Sequence, residues 1–144
     1  MRKNRIRHLL AAIVIATTIP AAAYAADAAG QTATISLDQL KGMMVGTWQN
    51  LDETGFTRQL NADGTCIDRF EGDASATSSG VWMLYDGRAL PPFLAARKLP
   101  AEGVYMTLSE HGDLYTFALT AFSPQSLQMI NIDRKMRLSF GRLK

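Results

Sequence analysis

From residue 36 onward the apolar positions change their period once. Leu37, Leu40, Met43 and Met44 recur at helical spacing. Ser36 precedes them with Gln39 three residues later, the pattern of a capping box, and Gly46 follows them. A short helix is therefore expected before Gly46. Beyond it the period shortens toward two. Strands are expected at 46–52, 56–61, 64–71, 79–85, 103–109, 113–122, 126–132 and 135–142, with a further short one near 88–90. Asn61-Ala62-Asp63-Gly64, Asp86-Gly87 and His111-Gly112-Asp113 carry turn chemistry, and Asp133-Arg134 fits a final hairpin.

Alternation assigns faces. Tyr115, Phe117, Leu119 and Ala121 oppose Thr116 and Thr120; Met136, Leu138 and Phe140 oppose Arg137, Ser139 and Gly141. Val81, Met83 and Tyr85 oppose Trp82 and Leu84, so both faces of that strand are apolar, one toward an interior and one under a helix or loop. About eight consecutive strands with mostly short connections predict an all-β fold, an antiparallel up-and-down β-barrel behind a short N-terminal helix. A β-sandwich is the alternative, because strand count alone does not separate the two.

Two stretches interrupt this pattern. Residues 72–79 are small and polar and read as a flexible loop. Residues 86–103 are longer and include Pro91-Pro92-Phe93-Leu94, with Pro100 further on. Pro92 suits the start of a one- or two-turn helix and Pro100 its end. A connection of that length acts as a lid over a barrel mouth or as a plug.

The N-terminus changes the charge picture. Arg2, Lys3, Arg5 and Arg7 precede an apolar run from Leu9 to Ala16, and Ala23-Tyr24-Ala25 offers a cleavage site. Residues 1–25 read as a secretory signal peptide, with an apolar run short of a membrane span. The expected compartment is periplasmic or extracellular, with no stable membrane insertion after cleavage. Residues 26–35 form a small, polar leader and 36–144 the barrel domain. The signal takes four of the fifteen Lys/Arg and none of the thirteen Asp/Glu, so the remainder is weakly acidic. That gives no electrostatic case for nucleic acid. Cys66 is the sole cysteine; it reads as a small buried hydrophobe, with a reactive thiol or an intermolecular bridge as the sharper alternative.

Gly46-Thr47-Trp48, entered from Met44-Val45, resembles the opening of lipocalin-like (calycin-type) barrels. Asn61-Ala62-Asp63-Gly64-Thr65 ahead of Gly80-Val81-Trp82 resembles small bacterial members of that group. The resemblance implies that Trp48 packs across a closed barrel end beneath an arginine from the last strand. Arg142 and Arg137 are the candidates, and the parity of Arg142 with Phe140 favours it. The chain departs from classical lipocalins in its length and in lacking their disulfides.

Candidate chemistry points to binding and not to an enzyme. His111 sits in a turn, and one His with one Cys after the signal supplies no soft-metal cluster. No phosphate loop, nucleophile elbow or acidic calcium loop is present, and no cofactor is expected. Methionines at 43, 44, 83, 106, 129 and 136 suit either an ordinary core or an adaptable ligand wall. If the interior is open, Phe56, Met83, Tyr85, Phe93, Met106, Phe117, Met129 and Phe140 are its expected lining. The Tyr85 hydroxyl would orient a small hydrophobic or amphipathic ligand, and Arg97 or Lys98 would meet an anionic head group at the rim or simply be solvated. The alternatives are a protein partner, engaged through the leader as in a protease inhibitor, and a filled barrel with a structural role.

Overall fold

The computed structural model describes residues 35–144. The expected signal and almost all of the leader lie outside the described residues. Helix α1 (Leu37–Met44) has the capping box: the Ser36 hydroxyl accepts from Gln39 N, and the Gln39 side chain accepts from Ser36 N. Eight strands follow, β1 (Gly46–Asn50), β2 (Phe56–Leu60), β3 (Thr65–Phe70), β4 (Asp73–Asp86), β5 (Val104–Glu110), β6 (Asp113–Ser123), β7 (Ser126–Asn131) and β8 (Met136–Arg142). Each pairs antiparallel with the next, and β8 pairs with β1, so the sheet is a closed barrel. The sandwich alternative is excluded by that last pairing.

The topology fixes two ends. Helix α1, the β2–β3 turn and the β4–β5 connection lie at one end; the β1–β2, β3–β4, β5–β6 and β7–β8 turns lie at the other. At the first end α1 buries Leu40 and Met44, and Trp48 and Trp82 are fully enclosed. The Trp48 indole donates to Met44 O at 2.8 Å, and the Trp82 indole to Asn61 O at 3.0 Å. Both Gly-x-Trp segments thus tie the first end shut. Trp48 and Arg142 are cross-strand partners, and the guanidinium lies 4.2 Å from the indole centroid. Arg142 donates to the carbonyls of Val45 (2.8 Å), Pro124 (2.5 Å) and Met43. Gly46, at φ 140°, leaves the room that Arg142 Nη1 occupies; any Cβ there would collide with it. Arg137 is not the partner of Trp48.

Three sequence expectations change. Residues 73–79 are not a loop, because β4 begins at Asp73 and supplies the ladder that β3 needs despite its polar side chains. Residues 88–90 form no strand; Gly87–Ala89 is a 3-10 turn capped by Asp86. In β6 the register shifts between Leu119 and Ala121, so Phe122 packs toward Trp48 and Ala121 leaves the inner face.

Candidate functional site

The open end of the barrel holds a cavity of about 210 Å³. Five aromatic rings stand in its wall: Phe56 and Phe70 from β2 and β3, Tyr115 and Phe117 from β6, and Phe140 from β8. Leu108 and Leu138 add aliphatic surface. Asn50 and Asn131, both buried, shape the rim, each accepting two backbone N–H groups of the turn that follows it. Glu53 and Arg134 place one charge of each sign at the mouth.

Three charged residues share this interior. Arg58 and Asp68 are cross-strand partners on β2 and β3 and point inward, where they are 7% and 4% exposed. Arg58 donates through Nε to Asp68 Oδ1 at 2.8 Å and through Nη2 to Oδ2 at 2.5 Å. This two-point contact is the strong form of an arginine–carboxylate pair. Burial opposes the charge of Arg58, but the hydrogen bond and charge of Asp68 outweigh it and hold its pKa above the ordinary value. The guanidinium carbon also lies 5.5–5.8 Å from the ring centroids of Phe56, Phe117 and Phe140. Among the described residues, Arg58 Nη1 has no acceptor, although it is buried.

Glu110 is the third member, at the end of β5 on the cavity wall. Burial first, then the charge of Asp68, pushes its carboxyl above the usual range. Arg58, a hydrogen bond from Ser78 Oγ at 3.4 Å and His111 pull the other way. Gly80 opposes Glu110 on β4, and a Cβ there would collide with Ser109 O and press on the Glu110 side chain. The second Gly-x-Trp glycine therefore gives the carboxyl its space. Cys66, fully buried between Leu60 and Gly80 on the flanking strands, has its thiol pushed up to about 11, first by burial and then by the charges of Glu110 and Asp68. It is a core side chain with its thiol protonated at neutral pH.

Of the expected lining, Phe56, Phe117 and Phe140 come together around the cavity. Met106 and Met129 also point inward but are fully buried beneath it, toward the closed end, and fill the core. Met83, Tyr85 and Phe93 are corrections. Trp82 and Leu84 take the inner face of β4, which turns Met83 and Tyr85 outward by alternation. The Tyr85 hydroxyl donates to Met83 Sδ at 3.3 Å, outside the barrel, and its ring meets Phe93 edge-on at 6.1 Å.

The 86–103 segment is neither a lid on this cavity nor a plug. It leaves β4 and rejoins β5 at the closed end, where Gly87 N donates to Gly103 O at 2.7 Å. Its short helix α2 (Pro92–Ala95) buries Leu94, and Tyr105, which faces outward, donates to Pro100 O at 2.8 Å. Arg97 donates to Thr116 Oγ1 at 2.6 Å and pairs with Asp133. The segment is a strap along the outer wall of β5 and β6, covering Tyr105 and Thr116. Arg97 is a tether, and Lys98, at φ 53°, lies in the strap rather than in the cavity wall.

Sequence reasoning passed over Arg58, Asp68 and Glu110. The signal was present. Arg58 shares parity with Phe56 and Leu60, and Asp68 with Cys66 and Phe70, so each is a charge on an apolar face. The tight turn between the strands sets them opposite one another. A second depression, lined by Gln49, Thr57, Arg69 and Leu143 among others, measures about 370 Å³. It lies on the outer face of β1–β3 and is broadly open to solvent. The smaller interior cavity is the better candidate because only it gathers buried polar groups. Comparison with protein-family models, with curated proteins and with solved structures returned no match to this chain.

Proposed function

We propose that this protein is a small exported lipocalin-like binding protein, not an enzyme, that holds a compact apolar or amphipathic molecule in the open end of its barrel. The observation that carries this reading is the aromatic-walled cavity of about 210 Å³ set over a solid core. Ligand sites combine mostly apolar walls with a few placed polar groups, and this wall has that composition. The volume is below the ordinary range for drug-sized ligands and close to that of an apolar cavity that holds benzene, about 150 Å³. The ligand is therefore about one ring or a short chain in size. The paired Gly-x-Trp segments and the Arg142–Trp48 closure support the lipocalin-like reading, and the signal-like residues 1–25 support a periplasmic or extracellular location.

Native mass spectrometry of protein purified from its host tests this. A bound species of small mass is the expected result, unaffected by removal of residues 26–35. A ligand-free barrel, with no amide shifts at Phe117 or Phe140 on titration with ring compounds, would reject the reading in favour of a filled barrel or a protein-binding role.

A further inference from the structure

We infer that the cavity selects an uncharged, ring-sized molecule whose hydrogen-bond acceptor, such as a carbonyl oxygen, is received by Arg58 Nη1. This inference rests on the binding role proposed above and specifies the ligand's chemistry.

Three observations lead to it. The first is the unpaired donor. Arg58 directs Nε and Nη2 at Asp68, and Nη1 is buried without an acceptor among the described residues. A buried donor left unmade is costly, and an arginine N–H is a strong one. Nη1 is closed off by its surroundings, and Phe56, Phe117 and Phe140 ring the guanidinium. For an acceptor to reach it, a ring of the wall that would receive the ligand's apolar body must move aside. The second observation is charge. Asp68 already balances Arg58, and Glu110 adds a carboxyl on the same wall. The groups facing Glu110 are Arg58 from β2, Cys66 and Asp68 from β3, Ser78 from β4 and the neighbouring His111. With Asp68 behind Arg58 and the opposite charges of Glu53 and Arg134 at the mouth, an anionic ligand meets three carboxyl groups against two guanidinium groups. A cationic ligand meets a cation already seated among the aromatic rings. An uncharged molecule avoids both penalties. The third observation is size, which limits the apolar body to about one ring.

Calorimetric titration of the intact protein with acetophenone, ethylbenzene and benzoate separates the terms. The three share a ring and differ in carrying an acceptor, no acceptor or a charge. Acetophenone should bind about tenfold more tightly than ethylbenzene, the scale of one hydrogen bond to a charged donor. Benzoate should be the weakest at pH 8 and should gain as the pH falls toward 5. In the Arg58→Met, Asp68→Leu double variant, acetophenone and ethylbenzene should become equal. Ethylbenzene within twofold of acetophenone on the native protein, or benzoate tightest at pH 8, overturns the inference while leaving the binding role intact. Failure of all three to bind overturns the inference, and together with a ligand-free barrel in native mass spectrometry it removes the binding role as well. The native-protein series decides the matter even if the double variant does not fold. If it folds and keeps the preference for acetophenone, Arg58 is not the receiving group.

Discussion

Each end of the barrel sets an arginine against aromatic side chains, half-buried on Trp48 at one end and buried among three phenylalanines at the other, and uses it in an opposite way. At the closed end Arg142 lies on Trp48 and spends its donors on main-chain carbonyls of α1's exit and the β6–β7 turn. Every partner is fixed backbone, so the guanidinium behaves as a rivet. At the open end Arg58 faces a carboxylate, sits between three phenylalanines in the cavity wall and leaves one nitrogen without an acceptor among the described residues. The same side chain closes one mouth and equips the other. An arginine against aromatic rings is thus not diagnostic of function; what its remaining donors meet is.

The largest effect that tests this contrast belongs to the closed end. Trp48→Ala should lower stability by about 3–5 kcal/mol, as large aromatic truncations in cores do. Denaturant unfolding measures it. A loss below about 1 kcal/mol would mean that the rivet does not hold the barrel.

The open-end pair should respond to how it is removed. Arg58→Met alone leaves the Asp68 carboxylate buried and uncompensated, a change of about 3–5 kcal/mol. Adding Asp68→Leu should recover most of that loss, because a buried ion pair exchanged for apolar residues of similar volume is often near neutral. Equal stabilities of the single and double variants would show that the two charges do not act as a unit.

The smallest effect concerns Glu110. Its raised pKa means that the folded chain keeps this proton to higher pH than the unfolded chain does. By linkage, the penalty is absent below the ordinary carboxylate range and grows as pH rises from about 4.3 through the folded value. Glu110→Gln removes it, so the variant should gain on the native protein between pH 4 and 7, by less than about 1 kcal/mol given the partial exposure. Paired denaturation midpoints across that range are the check. A difference that stays flat, or that favours the native chain at pH 7, would remove Glu110 from the coupled group.

Much of the closed end was legible in the sequence. Gly46-Thr47-Trp48, the capping box and the parity of Met136, Leu138, Phe140 and Arg142 are local patterns, and local patterns survive folding unless a bulge intervenes. One did in β6, which is why Ala121 and Phe122 exchanged faces. Residues 73–79 were misread because composition describes side chains, whereas the ladder is made by backbone groups that β3 leaves unpaired. Tyr85 and Met83 were misplaced because β4 is apolar on both faces; the strap over the outer wall explains why Tyr85 is apolar there. The strap itself was misread as a lid or plug. Which end it joins depends on counting strands around the barrel, a global property. Arg58 and Asp68 escaped notice because a lone charge within an alternating strand looks like surface until its partner strand is in register.

The barrel's seam carries one more consequence. Each pairing except β1 with β8 joins strands adjacent in sequence, so each can form by closing a short or moderate length of chain. The β1–β8 seam instead unites segments such as Val45 and Arg142, which are 97 residues apart. Loop-closure entropy rises with the logarithm of the enclosed length, and non-local pairing slows folding. The Arg142 stack and its carbonyl bonds therefore sit where the conformational search is longest, and they act as the latch that converts an open eight-strand ribbon into a closed one.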